Sequence, residues 1–138
     1  MRVYCAIMRG GTSKGVFFHE KDLPADPTLR DQVVLRIFGS PDKRQIDGLG
    51  GADLLTSKAV IIRPSSRPDA DVDYLFGQVS VTEPEVDWSG LCGNLSAAVG
   101  PFAVDEGLIA APEPVTSVRI YCPAFDRRII AEVPVRDG

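Results

Sequence analysis

The sequence predicts an α+β domain in which a curved, largely antiparallel sheet wraps around one central helix, and three observations carry that expectation. Residues 94–106 (Asn-Leu-Ser-Ala-Ala-Val-Gly-Pro-Phe-Ala-Val-Asp-Glu) are apolar almost all round until the last two, the mark of a helix buried on every side. The only elements available to cover it are strand-like segments before and after it in the chain. Finally, 138 residues with 44% hydrophobic content bury one ordinary core and hardly two, so residues 1–138 are read as one unit.

Residues 2–8 and 16–18 read as short strands flanking a glycine-rich segment, a hairpin-like or looped entry, because glycines punctuate the apolar runs there. Asp26 before Pro27 is an N-cap with proline at the first helical position, and Leu29, Val33 and Ile37 recur every fourth residue up to Gly39, which predicts a helix over 27–38. Residues 40–57 have no sustained period and read as a long loop, a length that in compact domains is often functional. Lys58 to Arg63 is a β-branched run suited to a strand buried on both faces and ended by Pro64. In residues 71–82, Val72, Tyr74 and Phe76 hold one phase and Val79 and Val81 the other, which predicts a β-bulge at Gly77. Pro101 is expected to kink the central helix, and strands at about 116–122 and 127–133 follow a proline-rich turn.

Charge and cysteine usage narrow the function classes. A net charge of −4, from 19 acidic and 15 basic residues without a basic run, argues against nucleic acid as a partner. Cys5, Cys92 and Cys122 are an odd set without metal-type spacing, and His19 is the single histidine, so neither a disulfide framework nor a metal site is expected. These residues are read as structural, Cys92 excepted. No apolar stretch approaches the roughly 18 residues needed to span a bilayer. A cytoplasmic protein without a membrane partner is the expectation.

Two proton carriers stand out, Lys58 after Gly50-Gly51-Ala52-Asp53-Leu54-Leu55-Thr56-Ser57, and Cys92 before Gly93-Asn94. Each adjoins small and hydroxyl residues whose backbone N–H groups suit a carboxylate, and Arg9-Gly10-Gly11-Thr12-Ser13-Lys14-Gly15 has the same character. Cys92 would open the central helix, where unpaired N–H groups and the dipole lower a thiol pKa from about 8.5 and favour a bound anion. Together they point to proton transfer on an anionic carbon acid. Taken singly, each has a plainer explanation, an inert small residue at a helix start for Cys92 and a strand-edge gatekeeper for Lys58.

Five blocks resemble the PrpF family: Met8 to Gly15, Gln45 to Ala52, Thr56-Ser57-Lys58, Asp71 to Ser80, and Cys92 to Phe102. Members include 2-methylaconitate cis-trans isomerase and 4-oxalomesaconate tautomerase, and the fold resembles diaminopimelate epimerase, each lobe of which wraps strands around a central helix. The resemblance implies cofactor-independent isomerisation of an unsaturated tricarboxylate, with Lys58 as the catalytic base and Cys92 as second acid/base or positioning group. It places Thr12, Ser13, Ser57, Gly93 and Asn94 where the family binds substrate carboxylates, with Arg9 or Lys14 to add charge. Leu91 stands where the methylaconitate isomerases usually carry asparagine, and Gly51 to Thr56 is closer to the oxalomesaconate tautomerases.

The 138 residues match the N-terminal lobe of a two-lobed family whose site lies between lobes, so the second lobe is expected to be absent from this chain. A separate second lobe or a homodimer is the expected protein partner. Alternatives of other classes are a non-catalytic lobe acting as an interaction module and a two-cysteine racemase or epimerase, for which neither Cys5 nor Cys122 has a glycine-rich context.

Overall fold

In the computed structural model, which describes residues 2–137, one sheet carries an α-helix on each face. In chain order its elements are β1 (Ala6–Gly10), β2 (Ser13–His19), α1 (Pro27–Phe38), β3 (Lys58–Pro64), β4 (Val72–Val79), β5 (Val86–Asp87), α2 (Gly93–Asp105), β6 (Val115–Cys122) and β7 (Arg127–Pro134). The strand order is β1-β2-β3-β4-β6-β7, with β5 beside β4. β2 and β3 run parallel, as do β4 and β6, and the remaining pairs are antiparallel.

The helix α2 touches β1 at one edge of this order and β7 at the other. Six strands at about 4.8 Å spacing span roughly 24 Å if flat, and a helix is only about 10–12 Å across. The sheet therefore curls around α2, as expected. Phe17, Val60, Ile62, Val72, Tyr74, Phe76, Val118 and Ile120 line the concave face against Leu95, Val99 and Phe102.

Burial of α2 is less complete than its composition predicts. Leu95, Ala98, Val99, Phe102 and Ala103 are buried, whereas Gly93 and Ala97 are exposed and Pro101 is half-buried, which leaves one narrow stripe of small residues open.

The expected helix over 27–38 forms with those bounds. Asp26 Oδ1 accepts from the Thr28 and Leu29 N–H groups at 2.8 and 3.1 Å, and Gly39 ends the helix at φ +80°. The stripe that predicted it is only part of its core face: Val33 and Ile37 are half-buried and packed against the core on that side. Val34, Leu35 and Phe38 pack on the convex side of the sheet with Val16, Phe18, Ala59 and Ile61, while Leu29 is 53% exposed. Leu29, Val33 and Ile37 also line an open groove of about 1000 Å³ with Val3, Cys5 and Leu49, away from α2.

Of the two forms expected for the glycine-rich segment the structure has the hairpin: Gly10 pairs with Ser13, and only Gly11, at φ +55°, and Thr12 make the turn. Gly10 and Gly15 are strand positions crowded by α2; a Cβ on Gly15 would lie 2.8 Å from Leu95 Cδ1. The strand β4 lacks the bulge expected at Gly77, since its pairing with β3 runs unbroken from Gln78 opposite Lys58 to Val72 opposite Pro64. Both of its faces are covered, so Val79 simply belongs to the convex face together with Gly77, whose Cβ would sit 2.7 Å from the Trp88 ring. Among the described residues, no helix is long and apolar enough to cross a membrane.

Candidate active site

Three chain elements begin at one point. Because β2 and β3 are parallel with Gly15 opposite Lys58, the starts of the two strands lie side by side, and the N-terminus of α2 descends onto them. On β3 the alternation places Lys58 on the face of Val60 and Ile62, toward α2; on β2, Ser13 shares the face of Phe17. Cys92 is the N-cap of α2, and its Sγ accepts from the Leu95 N–H at 3.4 Å.

The result is a closed triangle of polar groups. Lys58 Nζ donates to Ser13 Oγ at 3.1 Å and to Cys92 Sγ at 3.3 Å, and Ser13 Oγ is 3.8 Å from Cys92 Sγ. All three residues are buried, with Ser13 at 0%, Cys92 at 6% and Lys58 at 7% exposure. The Phe76 ring stands 5.6 Å from Nζ.

Burial by itself pushes the Cys92 thiol up. The Leu95 N–H, the Lys58 ammonium and the Ser13 hydroxyl stabilise the thiolate enough to outweigh it, and the thiol is held below its ordinary value. Tyr74 donates its hydroxyl to the Cys92 carbonyl at 3.1 Å, and burial, the largest influence on it, keeps that phenol protonated. Cys122 is pushed the other way by burial alone.

The remaining expected residues divide into two groups. Thr12, Gly93 and Asn94 form an exposed rim, with Asn94 Nδ2 donating to Thr12 Oγ1 at 3.0 Å. Arg9 and Lys14 make no side-chain hydrogen bond or ion pair among the described residues, and Arg9 is exposed. Ser57 departs from the expectation of a substrate-binding hydroxyl: it is 0% exposed, and its Oγ donates to Gln45 Oε1 at 2.9 Å. His19 lies elsewhere, with Nε2 2.8 Å from Glu106 Oε1.

Sequence reading missed Gln45, Tyr74 and Gln78 as contributors. All three stand inside blocks that carried the resemblance, Gln45 to Ala52 and Asp71 to Ser80. No spacing rule connects them to Lys58.

A family model described as PrpF protein matches residues 1–138. The chain is 62% identical over 138 residues to 3-methylitaconate isomerase of Eubacterium barkeri, covering 100% of this chain and 36% of that protein. It is 57% identical over 137 residues to 4-oxalomesaconate tautomerase of Pseudomonas putida, covering 99% of this chain and 38% of that protein. Identity to 2-methyl-aconitate isomerase of Cupriavidus necator is 51% over 148 residues, covering 100% of this chain and 37% of that protein. The chain thus spans somewhat over a third of the length of these relatives.

The crystal structure of a methylitaconate-delta-isomerase superposes with a TM-score of 0.98 at 62% identity, over 100% of this chain and 36% of that chain. A hydroxyproline epimerase from Agrobacterium vitis matches with a TM-score of 0.60 at 17% identity, over 97% of this chain and 38% of that chain, which shows a shared fold. The architecture is that of a diaminopimelate epimerase-like lobe.

Proposed function

The chain belongs to the PrpF family, and from that premise we propose that it carries the proton-transfer pair of a cofactor-independent isomerase acting on a small unsaturated polycarboxylate. The observation that carries the proposal is the contact of Lys58 Nζ with Cys92 Sγ at 3.3 Å in a buried cluster. A buried amine and a thiol of lowered pKa exchange one proton between them: ammonium with thiolate becomes amine with thiol at no change in total charge.

In that protonation state the pair removes a proton from a carbon next to a carboxylate-conjugated double bond. The electron pair delocalises over the allylic system and its carboxylate, and the proton returns at the other end, which shifts the double bond without net oxidation. Lys58 is assigned as the base, and Cys92 as the partner that relays or returns the proton. Ser13 supplies a hydroxyl to both, while Thr12, Asn94, Gly93 and Arg9 form the rim suited to carboxylates. The first N–H groups of α2 and the positive end of its dipole favour the same anion.

The preferred substrate class is 2-methylaconitate-like, a tricarboxylate; 4-oxalomesaconate tautomerisation is the second reading, favoured by the Gly51 to Thr56 block. Leu54, Leu55 and Leu91 are 64%, 43% and 37% exposed beside Lys58 and Cys92, and we propose that a complementary lobe, or a second copy of this chain, covers them. The same exposed leucines support the alternative of an interaction module without turnover. Free thiols at Cys5, Cys92 and Cys122 suit a reducing compartment, the cytoplasm.

Deuterium exchange into trans-aconitate, 3-methylitaconate and 4-oxalomesaconate, followed by NMR, tests the proposal. Exchange with one acid that is lost in Lys58→Ala supports it. No exchange with any of the three, in a folded protein, sinks catalysis by this chain alone and leaves the interaction module.

A further inference from the structure

We infer that Gln45 is a positioning residue that sets Lys58 against Cys92, acting through Ser57. The inference rests on the reading of Lys58 and Cys92 as one proton-transfer pair.

Lys58 enters β3 from the long loop 40–57, in which Gly51 to Leu55 are all exposed. That stretch has no apolar core of its own to decide where it rejoins the sheet. What it has is one buried amide. Gln45 is 1% exposed, and its Oε1 accepts both the Ala52 N–H at 2.7 Å and the Ser57 hydroxyl at 2.9 Å, while Nε2 donates to Ser40 Oγ at 2.8 Å. A single oxygen thus ties together the two ends of residues 52–57 and leaves the turn Leu54–Thr56 between them. Gln45 does this from φ +46°, a left-handed conformation that disfavours a residue with a Cβ. A Cβ on Gly50 would run into the same amide, so the loop is wrapped closely around it.

Ser57 passes the constraint to the sheet. With its hydroxyl on Gln45, its carbonyl accepts the Val79 N–H at 2.9 Å and Gln78 Nε2 at 3.0 Å, and the next residue is Lys58, opposite Gln78. The backbone carrying Lys58 is held from the loop side by Gln45 and from β4 by Gln78 and Val79. Small displacements of a reacting group are costly in such sites, so the loop amide bears on the Nζ to Sγ contact without touching either atom. It also accounts for the burial of Ser57, whose proton is committed to Gln45 rather than to a carboxylate.

The test reads the Cys92 thiol, which answers whether or not the chain turns over a substrate. The groups facing Sγ are Lys58 from β3, Ser13 from β2 and the Leu95 N–H of α2, with Tyr74 of β4 on the Cys92 carbonyl. Iodoacetamide labelling of the Cys92 peptide is followed by mass spectrometry as a function of pH in the wild type, Lys58→Ala, Gln45→Ala, Ser57→Ala and the Gln45→Ala/Ser57→Ala double variant. Cooperative unfolding is checked for each. The expected result is a midpoint raised in Lys58→Ala and raised toward it in both single variants, about tenfold less thiolate at neutral pH for each unit of rise. The double variant moves no further than the larger single, because the two residues act in one chain. Should Gln45→Ala fail to fold, Ser57→Ala alone decides. Unmoved midpoints in Gln45→Ala and Ser57→Ala beside a raised one in Lys58→Ala overturn the inference and leave Gln45 a loop brace. An unmoved midpoint in Lys58→Ala overturns the pairing itself, and the inference with it.

Discussion

The Tyr74 hydroxyl reaches the Cys92 carbonyl at 3.1 Å, from the middle of β4 to the cap of α2, so the residue that opens the central helix is held by the sheet the helix fills. The same carbonyl accepts the Ser96 N–H at 3.2 Å, the first bond of the helix. Cys92 is therefore fixed at its backbone by β4 and at its sulfur by Lys58 and Leu95.

Tyr74→Phe removes one of two donors from a buried carbonyl and keeps the ring. The expected loss is about 1 kcal/mol, the ordinary net worth of such a bond, because Ser96 still satisfies the oxygen. Urea unfolding measures it. A loss above about 3 kcal/mol would mean that the phenol holds more of the core than this one contact.

The Cys92 thiol gives a pH dependence with a definite sign. Its folded pKa is depressed, by hydrogen bonds and the Lys58 charge overcoming burial. It therefore adds stability that is fully present above the unfolded thiol value of about 8.5 and is lost as pH falls through the lower folded value. Comparison of wild type with Cys92→Ser by chemical denaturation should show the wild type gaining on the variant as pH rises through that window. A gap that is flat or narrows would contradict the assigned thiolate stabilisation.

Gly77→Ala distinguishes a regular, covered strand from a bulge. A Cβ there would lie 2.7 Å from Trp88 and 2.8 Å from Val86, and Trp88 is further tied through Nε1 to Asp31 Oδ1 at 2.9 Å. The segment over β4 must shift, at an expected cost of about 1–3 kcal/mol. Trp88 is the only tryptophan, so its emission should move to the red as the ring is displaced. Unchanged emission and stability would show that the ring does not press on this position.

Local signals carried a large part of the architecture. The α1 helix formed with its predicted bounds because capping and termination are chemistry within a few residues, at Asp26, Pro27 and Gly39. Strand β3 was legible from its β-branched run, and α2 from composition, to within one residue at each end. The errors have a common origin. Gly10, Gly15 and Gly77 looked like breaks, whereas each is a strand position against which another element packs, and spacing along the chain does not record what lies across it.

Lys58 and Cys92 were likewise picked out as residue types in suggestive surroundings and by resemblance to a family. What the sequence alone determined was the set of elements, β5 excepted, and the two proton carriers, because propensity, capping and side-chain chemistry are local properties. Only the tertiary structure decided that Ser13 completes the triangle, that Ser57 turns inward to Gln45, and that α1 buries Val34, Leu35 and Phe38 most deeply while Leu29 of its periodic stripe stays exposed. Those outcomes depend on strand register and on which faces meet. The parallel alignment of β2 with β3 sets Ser13 beside a lysine 45 residues away, and no local rule reaches that far.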